Sequence, residues 1–473
     1  MTKQLSKVTS QSSPQSTSPA TKYLWSVALT SALTAFHFGY AIASINVPST
    51  IFFNCSSSSS NSHLISGCFH VSKEAWGFVG MGLPLGGWIG GFSAPSLITR
   101  VGGIKPAIQF LNAILIISYL IMSFAINLPM LVIGRLLFGF VSGASCMLIP
   151  LYLSSISPFP HRGFFTNFFQ LFLCGGIVVA EFVSLVSGVG KTEWTWRFTF
   201  GAGLLIVALQ VILDIFFGFL PQSPRDLDPQ AVILLNKRLG IQAESSDFKD
   251  SDADSFSSAS SASAVPELNQ TSFTLWDLIT FKIPVANASL LLGILLHAGQ
   301  QISGVNAIFF YSSMIIQGFD STPLILALIN FGMTFVAVWL LERAGRRPVA
   351  LFSVAGSAIC LLAIAATFSS HKAAAAIFLI SFVACFSVGL GPIPWMIVPE
   401  IFPPSWPLIP AASAICISAN WITNILVTGT FPSLIKILPE SLIFLAFGIS
   451  CSLLLFALIS LLPETKNRPS NFI

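Results

Sequence analysis

Charged side chains make up only 8% of this 473-residue chain, against roughly 25% in an ordinary soluble domain. With 54% hydrophobic residues and a mean hydropathy of +0.82, the sequence has too little polar surface to cover a water-soluble globule. It is predicted to be an all-α polytopic membrane protein. Also lacking is a cleavable signal peptide: residues 1–22 are rich in Ser, Thr, Gln and Pro, so the first apolar span is expected to act as its own uncleaved targeting signal. No cluster of metal-ligating residues and no pairing of a nucleophile with a base stands out, so neither metal, cofactor nor enzyme chemistry is expected. Of eight cysteines, Cys146, Cys174, Cys360, Cys385, Cys416 and Cys451 fall in apolar spans and act as small hydrophobes. Cys55 and Cys68 differ. Both lie in a Ser-rich loop after the first span, where a disulfide between them is a candidate, and Asn54-Cys55-Ser56 is an N-glycosylation acceptor triplet.

What is present is apolar length. Twelve stretches long enough for a helix to cross a bilayer fit at about 23–49, 75–97, 106–124, 129–152, 163–188, 196–220, 284–318, 321–341, 348–369, 374–400, 408–434 and 440–462. With both termini placed in the cytosol, sixteen of the lysines and arginines fall on inner loops and five on outer ones, with Arg135 inside a span. This obeys the positive-inside bias. The net charge of +4 comes from those inner loops and calls for no nucleic-acid partner. The plasma membrane is the expected site, with an endomembrane as the alternative.

The chain divides into a cytosolic tail (1–22), a six-helix unit (23–220), a cytosolic linker (221–283), a second six-helix unit (284–462) and a short tail (463–473). Within the linker, Ala231–Leu239 is predicted as a short helix, 247–264 as an acidic, Ser-rich disordered stretch and 273–281 as a segment on the membrane surface. The serines are open to phosphorylation; a plain flexible linker is the other reading.

Inside the seventh span, QQISGVNAIFFY (300–311) carries three amides, Gln300, Gln301 and Asn306. A primary amide in hydrocarbon is costly unless paired, so such residues face a bundle interior or a polar cavity. On a straight helix Asn306 would sit roughly 120° from Gln300. A break at Ser303-Gly304 is predicted to turn both toward one cavity. Amides offer donors and acceptors without charge, which suits a neutral polyhydroxyl ligand; glue between helices is the alternative. In the tenth span, Pro392 and Pro394 remove backbone donors while Gly389 and Gly391 loosen the turn, so this helix is also predicted to break and bend as a gate. His37, in the first span, is either a packing residue or cavity-lining, and the same alternatives apply to His297, one turn before Gln301.

The segments 90–106 and 340–348 each close the second span of a six-span unit, which makes an internal repeat of about 240 residues. The chain resembles the sugar porter family of the major facilitator superfamily, close to facilitative glucose transporters. The resemblance rests on the order and spacing of GR (134–135) with Gly139, PLYLSSISP (150–158), RG (162–163), Gln170-Leu171, PQSPR (221–225), QQISGVNAIFFYS (300–312), ERAGRR (342–347), GLGPIPW (389–395), Pro399-Glu400, NWITN (420–424) and PETK (463–466). It implies two pseudo-symmetric six-helix bundles that alternate access to a central sugar.

The same resemblance implies a binding set of Gln170, Gln300, Gln301, Asn306, Asn330, Trp395, Asn420 and Asn424. Independently of it, Asn420 and Asn424 share a helix face, and Trp395 offers a flat surface for the C–H face of a pyranose. Tyr311 is implied as part of the outer gate. Arg100, Arg162, Arg225, Glu342, Arg343, Arg346, Arg347, Glu400 and Glu464 are implied as parts of the inner one. No obligate protein partner is evident, and the bilayer and a small sugar are the expected partners.

Proton-driven relatives carry an Asp after the FGY of the first span, where this chain has Ala41. That favours uniport. Glu181 argues for the alternative, because it lies eleven positions after Gln170, about 20° from the same face and roughly 16 Å toward the outside. It is read as a hydrated mouth or packing residue, a sugar contact, or a proton site for sugar or polyol symport. Asp214, near the inner end of its span, is expected to meet interfacial water or an Arg. Departures from the family pattern cluster in the first half: Gly103 and Ile104 replace arginines, and Ser155 and Gln222 replace acids, while Ser387 stands where the family has Glu. The Arg expected after Glu400 is absent as well. Loss of these inner charges predicts a longer dwell in the inward-facing state. A sugar sensor that transports little is the remaining alternative, and QIS (301–303) in place of QLS hints at altered specificity.

Overall fold

The computed structural model describes residues 21–46, 48–53, 55, 69–158, 162–187, 195–218, 220–222, 229–239, 278, 280–315, 321–402 and 409–466. Among them every regular element is helical. In chain order the helices are α1 (Lys22–Ala43), α2 (Ser49–Phe53), α3 (Lys73–Val101), α4 (Ile104–Ser123), α5 (Leu128–Ile156), α6 (Arg162–Thr166), α7 (Phe168–Val186), α8 (Thr195–Gly201) and α9 (Gly203–Phe217). They continue with α10 (Pro229–Leu239), α11 (Pro284–Ile302), α12 (Val305–Ile315), α13 (Thr322–Ala344), α14 (Arg346–Thr367), α15 (Lys372–Val388), α16 (Ile393–Ile397), α17 (Ile409–Ile437) and α18 (Glu440–Leu461).

Local chemistry sets the ends. Thr21, Ser72 and Asn127 are N-caps whose side-chain oxygens accept from Leu24 N (3.2 Å), Ala75 N (3.2 Å) and Met130 N (3.0 Å). Helix α3 stops where Gly102 and Gly103 take positive φ, a conformation with little cost for glycine. The first span is shorter than the expected 23–49: α1 ends at Ala43, and Pro48, which has no N–H to continue the ladder, lies in the turn before α2. The fifth and sixth spans are each interrupted once, at Asn167 and Ala202. The seventh and tenth break where Gly and Pro predict, at Ser303-Gly304 and across 389–392.

Among the described residues, eleven stretches are long and apolar enough to cross a membrane. Helix α3 is not one of them, because the seven glycines between Gly77 and Gly91 lower its hydropathy. Those glycines serve packing instead. A Cβ at Gly86 or Gly90 would collide with a carbonyl oxygen of α5, and one at Gly139 or Gly143 of α5 would collide with a carbonyl of α3. Small residues thus bring these backbones together, as expected where lipid offers helices no hydrophobic drive to associate. Gly39 and Gly176 do the same for α1 and α7. Outward-facing side chains such as Leu205, Phe216 and Phe456, each at least 75% exposed, fit a lipid-facing surface.

The two halves meet along α3 against α17 and α7 against α13. On the first seam the Trp421 ring covers Gly87, where a Cβ would lie 2.7 Å from it. On the second, Thr334 Oγ1 and Cys174 Sγ lie within hydrogen-bond distance at 3.3 Å. The linker helix α10 matches the expected short helix and is tied to the start of α1 by Thr21 Oγ1 donating to Arg238 O at 2.9 Å. The acidic stretch 247–264 and most of 273–281 lie outside the described residues.

Candidate substrate site and its gates

The break between α11 and α12 brings four of the expected amides into one network. Asn420 Nδ2, from α17, donates to Gln300 Oε1 (2.7 Å) and to the His297 carbonyl (3.0 Å). Gln301 Nε2 donates to Asn420 Oδ1 (2.9 Å), and Asn306 Nδ2 donates to Gln301 Oε1 (2.7 Å). Gln300 Nε2 reaches the carbonyls of Leu390 (2.9 Å) and Gly391 (2.8 Å), which the break in the tenth span frees from helical bonding. All four amides are buried. The kink thus supplies acceptors and the amides supply donors, so each satisfies the other.

Gln170 and Asn330 belong to a neighbouring cluster. Gln170 Nε2 donates to Cys174 Sγ (3.3 Å), and Ser387 Oγ donates to Asn330 Oδ1 (2.7 Å). Thr334, which bonds Cys174, also donates to the Asn330 carbonyl at 2.8 Å, so the chain of contacts crosses from α7 to α13 and on to α15. Asn424 is buried, and its Oδ1 has no hydrogen-bond partner among the described residues. Trp395, half-buried on α16, meets the His297 ring edge-on at 5.0 Å and Phe169 of the first half at 6.4 Å between centroids. His297 therefore backs the Trp plate and anchors Asn420 through its carbonyl.

Tyr311 marks a kink in α12 (φ −131°, ψ 16°), donates to the Thr428 carbonyl at 3.0 Å and stacks on Phe431 at 5.5 Å. Gly389 packs where a Cβ would lie 2.7 Å from the Val349 carbonyl and from Ser353. Ser353 Oγ also accepts from Leu390 N at 2.8 Å, which holds the turn that leads into Pro392 and Pro394.

The expected inner-gate charges divide. Arg346 pairs with Glu400 (Nη2 to Oε1, 2.9 Å), and Glu464 accepts from the backbone N–H of Arg346 (3.0 Å), Arg347 (3.1 Å) and Lys466 (2.8 Å). Burial pushes the Glu464 carboxyl up, but those three donors and the Arg346 guanidinium outweigh it and hold the group below its ordinary value. Arg347 Nη2 donates to Ile459 O (2.8 Å), Arg343 lies over Trp339 (4.5 Å), and Arg100 and Glu342 are exposed. The side chains of Arg162 and Arg225 lie outside the described residues, as do Asn54 and Cys68. Cys55 is disulfide-bonded.

Three polar groups missed in the sequence complete the picture. Asn46, in the turn after α1, donates through Nδ2 to Glu181 Oε1 (3.0 Å) and to Ser312 Oγ of α12 (2.7 Å). The third is Arg135, fully buried on α5, which donates to the carbonyls of Ala41 and of Val79 (3.3 Å) and lies over Phe310 at 5.7 Å. Among the described residues no carboxylate pairs with it. The rule that flagged Gln300 applies equally to Asn46 and Arg135, since a buried donor needs an acceptor. His37 bonds the Tyr119 hydroxyl at 2.8 Å, the packing alternative. Asp214 accepts from Gln109 (2.6 Å) and pairs with Lys105 (3.5 Å), where an Arg or water was expected.

Broken helices around buried amides, on a scaffold of closely packed spans, define a polytopic carrier. Solved structures place the fold: a partially occluded inward-open form of the xylose transporter XylE from E. coli matches 93% of this chain and 100% of its own, with a TM-score of 0.72 at 20% identity. The family described as Sugar (and other) transporter matches residues 27–472. Facilitated glucose transporter member 3 of Gallus gallus is 31% identical over 85% of this chain and 81% of its own. That of Canis lupus familiaris is 30% identical over 92% and 88%. The chain belongs to the sugar porter family of the major facilitator superfamily; it is a multi-pass membrane transporter of sugar, not an enzyme.

Proposed function

We propose that the chain moves a hexose such as glucose down its gradient, by alternating access, without coupling to protons. The observation that carries this reading is the network joining Gln300, Gln301, Asn306 and Asn420. Its donors and acceptors are uncharged and already paired with one another. A sugar hydroxyl that enters exchanges one such bond for another, and exchange of that kind costs little net free energy. Trp395 gives the pyranose an apolar face to lie on, and Gln170, Asn330 and Asn424 complete the proposed set. Two facilitated glucose transporters at 30–31% identity support the substrate class.

Uniport is supported by Ala41, whose carbonyl, with no carboxylate beside it, receives the Arg135 guanidinium. The termini lie in the cytosol in this reading. At the opposite, outer end, Asn46 reaches Ser312 and Lys436 pairs with Glu74 at 2.6 Å, so both contacts join the two halves. At the terminal end the described ion pairs, Lys105 with Asp214 and Arg346 with Glu400, each stay within one half. With the termini in the cytosol, these contacts support an inward-facing reading of the arrangement. A second reading, proton-coupled symport, rests on the buried carboxyl of Glu181.

Radiolabelled glucose and fructose uptake into proteoliposomes, with and without an inward proton gradient, tests both. Uptake that ignores the gradient and falls at least about tenfold in Gln301→Ala, in line with a lost buried amide bond pair, is the expected result. Accumulation driven by the gradient and lost in Glu181→Gln would establish symport instead, and sugar binding without uptake would establish a sensor.

A further inference from the structure

Glu181 sits on α7 with 2% of its surface exposed, far from water for a carboxyl group. Its Oε1 accepts one hydrogen of the Asn46 amide at 3.0 Å, and the other hydrogen of the same nitrogen goes to Ser312 Oγ at 2.7 Å. Oε2 has no hydrogen-bond partner among the described residues, and no Lys, Arg or His there forms an ion pair with Glu181. None of its contacts reaches Gln300, Gln301, Asn306 or Asn420.

The chemistry of the three groups fixes their order. An amide can turn over and present its oxygen where its nitrogen was, and a serine hydroxyl accepts either face because it both donates and accepts. Glu181 meets Asn46 through an accepting oxygen, Oε1, so the side of the amide that faces it is the nitrogen. With Glu181 in place, the Asn46 nitrogen is held toward Ser312. Asn46 and Glu181 belong to the first half and Ser312 to the second, so this single amide is a bond across the interface.

We propose that Glu181 is a positioning residue of the outer gate: it holds the Asn46 amide so that the amide bonds Ser312, and thereby sets how firmly α12 closes against α1. The inference rests on the alternating-access reading. Glu181 acts through Asn46 and touches no sugar.

The test uses the full chain in nanodiscs with spin labels at His70→Cys and Ile437→Cys, exposed positions just before α3 and at the end of α17. Their separation is read by pulsed electron resonance without sugar, so a chain that fails to transport would fail the functional reading and leave this one measurable. Glu181→Ala, Asn46→Ala and Ser312→Ala are each expected to raise the open population about tenfold, the worth of one buried hydrogen bond. Glu181→Ala added to Asn46→Ala is expected to add less than about twofold, because its effect passes through the amide. Glu181→Gln, which still offers an oxygen, is expected to recover most of the closed population. In uptake, the loosened variants should change the KM for outer sugar and leave kcat within about twofold. Unchanged distances in Glu181→Ala would overturn the proposal. So would a full tenfold effect of Glu181→Ala on top of Asn46→Ala, or a Glu181→Gln variant no better than Glu181→Ala.

Discussion

Asn420 is the hub of the amide network, with two bonds donated and one accepted. Replacing it by Asp keeps the acceptor for Gln301 but sets an anion against Gln300 Oε1 and the His297 carbonyl. Each buried unsatisfied group costs about 1–3 kcal/mol, so Asn420→Asp is expected to lower kcat/KM for sugar uptake by more than about tenfold at equal protein yield. Asn420→Ser, which leaves room for water, should lose less, and uptake equal in the two variants would contradict this hub role. Gln300, Gln301 and Asn306 were legible in the sequence because a primary amide in an apolar span must find a partner, whereas Asn420 entered the set through the family resemblance. Gln170 and Asn330 were read into the same set, yet they join through Cys174, Thr334 and Ser387, since spacing along one helix carries no distances to another. Asn46 escaped notice because it lies where the first span was expected to run on to residue 49, among small residues read only as packing.

At the scale of elements, breaks were more legible than caps. Gly304 and the Gly-Pro run near 391 announce their kinks through backbone chemistry alone, whereas the start of α14 depends on a residue more than a hundred positions away. Gly345 precedes that helix at φ +95° and offers no capping side chain, so Glu464, just beyond α18, supplies the oxygens for Arg346 N and Arg347 N. A Cβ at residue 345 would lie 2.6 Å from the carboxylate, which explains the need for glycine there. Loss of a charged cap costs about 1–2 kcal/mol, and Glu464→Gln is expected to lower Tm at pH 7. The Glu464 carboxyl titrates below its ordinary value of 4.5 in the folded chain. Its contribution is therefore full above that ordinary value and is lost as pH falls through the depressed one. Thermal unfolding of both proteins should show a gap at pH 7 that narrows as pH falls below the ordinary carboxyl value. A gap that stays constant would mean that the carboxylate's charge adds nothing to the cap.

At the scale of the whole molecule, closure is unequal at the two ends. Glu74 with Lys436, and Asn46 with Ser312, bind the halves at the end opposite the termini. At the terminal end two positions where relatives carry acids are neutral: Gln222 is exposed, and Ser155 turns its hydroxyl back to the Tyr152 carbonyl at 2.7 Å. The charge pattern was readable in the sequence, but its consequence required knowing which pairs cross between halves and which stay inside one. An exposed ion pair contributes about 0–1 kcal/mol, and two acting together can shift a two-state equilibrium by up to about thirtyfold. Gln222→Glu combined with Ser155→Glu is accordingly expected to move the population toward the state closed at the terminal end. Spin labels at Ser96→Cys and Ala344→Cys, both exposed and near the terminal ends of α3 and α13, should come closer together in the double variant. The shift should fade in about 1 M salt, where charges more than about 3 Å apart are screened. A distance distribution that ignores both the added acids and the salt would show that the observed closure depends on the contacts at the opposite end, since the terminal end would then be indifferent to its own charges.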